Sequence, residues 1–131
     1  MEAVGRARAR ELGLSLRLDS AGTSGWHEGE PPDPRTVRVG EAAGFSLAML
    51  RARKVRLPDF DDFDLILAAD KGHLEQLAGL APGGHRGKLR LFLGGGRDLP
   101  DPYYGDDEGF EEVLRLVVGR WARWQGGLDE F

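Results

Sequence analysis

Asp101-Pro102-Tyr103-Tyr104-Gly105 sets an acid on a proline-stiffened turn with two phenol rings directly after it. The group has the make-up of a proton donor beside an aromatic wall, and equally of a plain turn with two packed rings. The chain holds no cysteine, which excludes thiolate nucleophiles, disulfides and thiolate metal sites within it. Ser20 and Ser24 lack an evident base, and no Gly-rich phosphate loop ending in Lys is present. His27, His73 and His85 are scattered and read as surface histidines rather than a ligand cluster. Trp26 stands in a Gly-rich loop, where it either covers a core edge or faces a ligand.

The elements that must position these residues alternate along the chain. Residues 2–12 read as a helix with Val4, Ala7 (or the stem of Arg8) and Leu12 on its apolar line, stopped by Gly13. Residues 15–19 alternate as a short strand, and a Gly/Pro-rich loop follows over 20–33. Asp33 caps a helix with Pro34 at its first position, ending near Gly44. Residues 58–63 form a helical turn with Phe60 and Phe63 inward, and residues 64–68 are a nearly continuous apolar run, as a strand buried on both faces should be. Asp70 reads first as the cap of a helix lined by Leu74, Leu77 and Ala78. Residues 88–93 are a further strand. Phe110, Val113, Leu114, Val117, Val118 and Trp121 keep helical spacing over three turns.

This order predicts an α/β fold, three-layer α/β/α with a small parallel sheet, because parallel strands need crossovers that helices usually supply. At 131 residues the chain suits a single domain, and no repeat or second domain is evident. Ligands of open parallel sheets bind outside the carboxyl ends of the strands, so residues 19–26, 70–72 and 101–104 are expected to converge there. Net charge is −4 and uneven. Residues 1–58 hold 10 Lys/Arg against 7 Asp/Glu, and residues 59–131 hold 8 against 15. No basic patch alternates with aromatics, which argues against nucleic acid. No apolar run approaches the roughly 18 residues of a membrane span and no signal peptide opens the chain, so a cytoplasmic protein is the default expectation.

The loop of residues 19–35, reading Asp19-Ser20-Ala21-Gly22-Thr23-Ser24-Gly25-Trp26 and on to Pro34-Arg35, resembles that of low-molecular-weight protein tyrosine phosphatases. Arg51-Ala52-Arg53, residues 61–70 and residues 101–105 match the same family in the same order, from residue 2 to near the C-terminus. The resemblance implies hydrolysis of aryl phosphate monoesters through a phosphocysteine. A thiolate attacks phosphorus, an arginine fork and backbone N–H groups hold the phosphoryl oxygens, and an Asp protonates the leaving phenolate. On the matching positions that general acid is Asp101, Tyr103 and Tyr104 flank the entering ring, Trp26 forms the opposite wall, and Ser20 hydrogen-bonds the phosphate loop.

Two departures accompany the match. The family's Cys, five residues, Arg, Ser loop lies between its first strand and first helix, and members commonly read Pro-Met-Ala-Glu as that helix begins. This chain opens Met1-Glu2-Ala3-Val4. The resemblance therefore implies that an inner strand, lying between residues 15–19 and 64–68, and the phosphate loop are missing, through an incomplete gene reading or a genuine truncation. The His that members often place before the Ala-Arg pair is also absent, since the residues here are Met49-Leu50-Arg51-Ala52-Arg53. The chain as written is expected to be inactive. A phosphotyrosine protein or small aryl phosphate is the implied substrate, with no cofactor or metal, no nucleic acid and no membrane, and the oligomeric state stays open. The alternatives are a non-catalytic binding protein, or a relative of arsenate reductases or arginine phosphatases. The former reductases need redox cysteines, and the latter phosphatases tend to lack the double tyrosine.

Overall fold

The computed structural model describes residues 1–25, 28–100 and 107–131, with the side chain of residue 107 outside that description. Two strands, β1 (Ile66–Ala68) and β2 (Leu89–Leu91), pair in parallel with Ile66 opposite Leu89 and Ala68 opposite Leu91. The helix between them, α4 (Lys71–Leu80), supplies the crossover and packs on both. Asp70 caps it, accepting from the His73 N–H at 2.7 Å.

Before this unit come α1 (Glu2–Glu11), α2 (Pro34–Ala42) and the short α3 (Leu57–Asp62), and after it the long α5 (Asp107–Arg123). Asp33 caps α2 by accepting from the Arg35 N–H at 2.8 Å, with Pro34 at the first helical position as its fixed φ favours. Helix α5 packs against both α1 and α2.

The sheet separates two apolar clusters. One joins Val4 of α1, Phe92, Leu99 and Val117, Trp121 and Trp124 of the α5 region. The other joins Phe60 of α3, Ala68, Leu77, Ala81 and Leu89. Consecutive residues of β1 serve opposite clusters, Leu67 the first and Ile66 and Ala68 the second. That is why the run reads as unbroken apolar rather than alternating, and it gives the three expected layers.

Two local readings change. Residues 15–19 join no ladder; in this region the described pairing is a single parallel bridge between Gly22 and Lys54. On α1 the buried line runs through Val4, Gly5 and Ala9, with Ala7 and Leu12 only half-buried. The Trp121 ring packs directly on Gly5, where a Cβ would come within 2.7 Å of Cζ2. That close approach turns the helix by part of a turn from the face its side chains alone suggest.

Beyond β2 the chain turns through Gly94, Gly95 and Gly96, with φ of 72°, 59° and 71°. Three successive residues in the left-handed region suit only glycine. They return the chain so that the Leu99 N–H donates to the Ala69 carbonyl at 2.7 Å, at the carboxyl end of β1. The Arg120 guanidinium is buried beneath this turn. It donates to the Phe92 carbonyl at 2.9 Å and the Glu130 carbonyl at 2.8 Å, and lies 4.1 Å from the Phe131 ring centroid. Among the described residues no helix is long and apolar enough to cross a membrane.

Candidate active site

Asp101, Tyr103, Tyr104 and Trp26 lie outside the described residues. The segments leading to them are described, and they meet at one edge. The Leu99 N–H is tied to Ala69, and Asp98 accepts from the Lys71 N–H at 2.9 Å, so the chain two residues before Asp101 is pinned to the start of α4. From the other side the Thr23 hydroxyl reaches the Gln76 Oε1 of α4 at 2.8 Å, three residues before Trp26. The flanks of all three expected segments therefore converge.

Ser20 is described. Its hydroxyl donates to Glu2 Oε1 at 2.8 Å, while the other oxygen of Glu2 accepts from Arg6 Nε at 2.9 Å. Glu2 is buried, and this pair of donors balances its carboxylate. Next to Ser20, Arg53 forms a fork that sequence reasoning matched as a motif but gave no partner. Its two terminal nitrogens donate to the two oxygens of Asp59 at 2.9 and 3.1 Å, and its Nε donates to Asp19 at 3.2 Å. Such a bidentate arrangement orients as well as attracts. The fork joins the segment entering the 20–33 loop to α3, where Asp59 also accepts from the Arg56 N–H at 2.8 Å.

The Arg53 hydrogen bonds, ahead of the opposing effect of burial, hold the Asp59 carboxyl below its usual 3.8. Asp70 is likewise lowered, first by the His73 backbone N–H, and Asp33 first by the Arg35 side chain. A carboxylate with a depressed folded pKa contributes stability that is present above its unfolded value and lost as pH falls through the folded value. The urea midpoint is therefore expected to hold down to about pH 4 and to fall steeply below it. Asp59→Asn should flatten that fall; an unchanged acid limb in the variant would show that the fork adds nothing.

Between the segment of residues 17–21 and β1 lies a cavity of about 200 Å³, open at its rim, with Ser20, Asp19, Arg53 and Asp59 along its polar lip. Its walls draw on both apolar clusters, Phe92 and Trp121 from one and Leu77 from the other. The Trp121 Nε1–H is buried without an acceptor among the described residues. His73 sits against Asp70 at 3.1 Å and His85 against Asp61 at 2.5 Å, each at the surface end of a helix or turn. Among the described residues no three His, Asp or Glu side chains gather as a metal site would need.

The family model described as low molecular weight phosphotyrosine protein phosphatase matches residues 1–130. A low molecular weight protein-tyrosine-phosphatase of Streptomyces coelicolor is 46% identical over 126 residues, covering 88% of this chain and 76% of that protein. The Schizosaccharomyces pombe low molecular weight phosphotyrosine protein phosphatase is 40% identical, covering 89% of this chain and 80% of its own length. A solved protein tyrosine phosphatase of Entamoeba histolytica, a product state mimic, superposes with a TM-score of 0.88 at 28% identity, covering 99% of this chain and 86% of that one. The edge where the three loop flanks converge is thus set in a frame shared along nearly its whole length, and by fold and sequence alike the chain belongs to the low-molecular-weight protein tyrosine phosphatases.

Proposed function

We propose that these 131 residues form one domain that carries the acid and the ring walls of a tyrosine phosphatase site, acting on phosphotyrosine proteins or small aryl phosphates. The observation that supports this reading is the tether of Leu99, two residues ahead of the Asp-Pro-Tyr-Tyr motif in sequence, to the carboxyl end of β1, the edge where open α/β sheets bind ligands. In this reading Asp101 protonates the departing phenolate oxygen as the P–O bond breaks. It then takes a proton from the water that hydrolyses the phosphoenzyme. Tyr103, Tyr104 and Trp26 enclose the aromatic ring of the substrate, and Ser20, beside Glu2, supports the phosphate loop. The cysteine and the arginine fork for the phosphoryl oxygens are not among these residues and must be supplied by a segment outside them. The cytoplasm suits such an enzyme, since a reactive thiolate stays reduced there.

The test is to join a strand ending in Cys, five residues, Arg and Ser ahead of Met1. Turnover of p-nitrophenyl phosphate and phenyl phosphate should appear. Asp101→Asn should then slow phenyl phosphate by about 10²–10⁴-fold and the activated nitrophenyl ester far less, because only the poorer leaving group needs the proton. Equal losses on both esters would make Asp101 a structural residue and overturn the assignment.

A further inference from the structure

Helix α4 begins with two carboxylates on its free N–H groups, and they come from different parts of the chain. The cap residue Asp70 accepts from the His73 N–H at 2.7 Å. A cap side chain reaches the second or third helical N–H, not the first. The first, that of Lys71, is taken at 2.9 Å by Asp98, which lies 27 residues further along. Helix α2 has no donor to offer at the same position, where it carries Pro34. The Lys71 ammonium adds little to the link. It stays 3.9 Å from Asp98 and is 63% exposed, and such surface pairs are weak. A carboxylate on a helical N–H gains both a charge-assisted bond and the helix dipole.

Asp98 does not hold this place alone. The next residue, Leu99, is buried, and its N–H donates to the Ala69 carbonyl at 2.7 Å. Asp98 and Leu99 thus grip Ala69 and Lys71, one on either side of Asp70, where β1 passes into α4. The second turn of the same helix holds the other flank of the site, through Gln76 and the Thr23 hydroxyl. In sequence, Pro100 and Pro102 bracket Asp101. Proline fixes its own φ and restricts the residue before it, so few free torsions separate this grip from the acid.

We propose that Asp98 is a positioning residue for the general acid. Its carboxylate, bound to the Lys71 N–H, sets the stretch that leads into Asp101 against the start of α4. The kinetic half of this inference rests on the reading of Asp101 as the acid, whereas the tether itself does not.

The experiment turns on what proline lacks. Lys71 is the first helical residue, where proline is favoured, and Asp70 before it is already extended at φ −144° and ψ 171°. Lys71→Pro therefore deletes the N–H and keeps the helix, whereas Lys71→Ala removes the ammonium and keeps the N–H. In the full chain the Leu99 amide should exchange with solvent about tenfold faster in Lys71→Pro than in Lys71→Ala, as loss of one charge-assisted hydrogen bond implies. Asp98→Ala should match the proline variant. Asp98→Asn, whose amide oxygen still accepts, should fall between. Equal Leu99 exchange in Lys71→Pro and Lys71→Ala overturns the tether.

The same variants are then made in the chain joined to the upstream Cys-to-Arg strand. Relative to Lys71→Ala, both Lys71→Pro and Asp98→Ala should lower kcat on phenyl phosphate about tenfold, with KM unchanged and p-nitrophenyl phosphate slowed by less than about twofold. Equal losses on both esters, while Asp101→Asn still discriminates between them, would overturn the role of Asp98 and leave Asp101 as the acid. A loss of discrimination in Asp101→Asn itself would remove the acid reading, and the positioning role with it.

Discussion

Incubated with p-nitrophenyl phosphate, the purified 131-residue chain is expected to release nitrophenol no faster than buffer. The reaction of this family runs through a covalent phosphoenzyme, and the chain contains no cysteine to form it. Removing a nucleophile that forms a covalent intermediate costs on the order of a million-fold in rate. Nothing described at the site compensates. Ser20 donates its hydroxyl hydrogen bond to Glu2, which is already paired with Arg6. The Arg53 guanidinium, on the lip of the same cavity, is committed to Asp59 and Asp19. The check is a long incubation at high enzyme concentration with Asp101→Asn in parallel. Turnover by the parent that the variant lacks would reveal a nucleophile of another kind and defeat this expectation.

The second large effect concerns the free chain in solution. One edge of β1 is bare, and two apolar clusters meet at an unfilled slot beside it. A two-stranded sheet is marginal unless helices cover it, and here the cover is interrupted at that slot. Burying about four large apolar side chains there would contribute roughly 1.5–3 kcal/mol each, comparable to the whole 5–15 kcal/mol stability of a domain. Bare edges also pair readily with other chains. The isolated protein is therefore expected to be weakly stable and to self-associate at micromolar concentration. Sedimentation velocity and a thermal scan decide the matter. A monomer with one cooperative transition above about 60 °C, the upper part of the usual mesophile range, would mean that the layers close over the gap by themselves.

The parts of this fold that were legible in the sequence are those set by local chemistry. The caps at Asp33 and Asp70 came through, because a carboxylate meeting free helical N–H groups needs only its neighbours in sequence. So did α5, whose 3.6-residue spacing runs through Phe110, Val117 and Trp121, all buried. Residues 15–19 alternate as a strand does, but a strand is defined by its partner, and alternation does not supply one. The shift of the buried face of α1 from Ala7 to Ala9 depends on a glycine admitting an indole from a helix more than a hundred residues away. Arg120 was invisible for a similar reason. A charged residue on an amphipathic helix reads as solvated, and only the tertiary fold brings it the Phe92 and Glu130 carbonyls. Within the site, Ser20 and Arg53 stood out by family resemblance, whereas the Glu2 and Asp59 that hold them did not. Among the ring and acid positions, Trp26, Asp101, Tyr103 and Tyr104 remain assignments from sequence, supported by the anchoring of their neighbours.

The three glycines after β2 carry a stereochemical consequence. With φ of 72°, 59° and 71°, that stretch of main chain has the handedness natural to mirror-image amino acids. An L-alanine at Gly95 is strained there, whereas a D-alanine, introduced by chemical ligation, adopts a positive φ by preference. It also narrows the unfolded ensemble, which for a compatible site raises stability by about 0.4–1 kcal/mol. The D-variant should therefore unfold at higher urea than the parent and the L-variant at lower, from molecules identical in composition and differing at one chiral centre. The segment that returns Leu99 to the end of β1 is, in effect, a short left-handed passage in a right-handed chain.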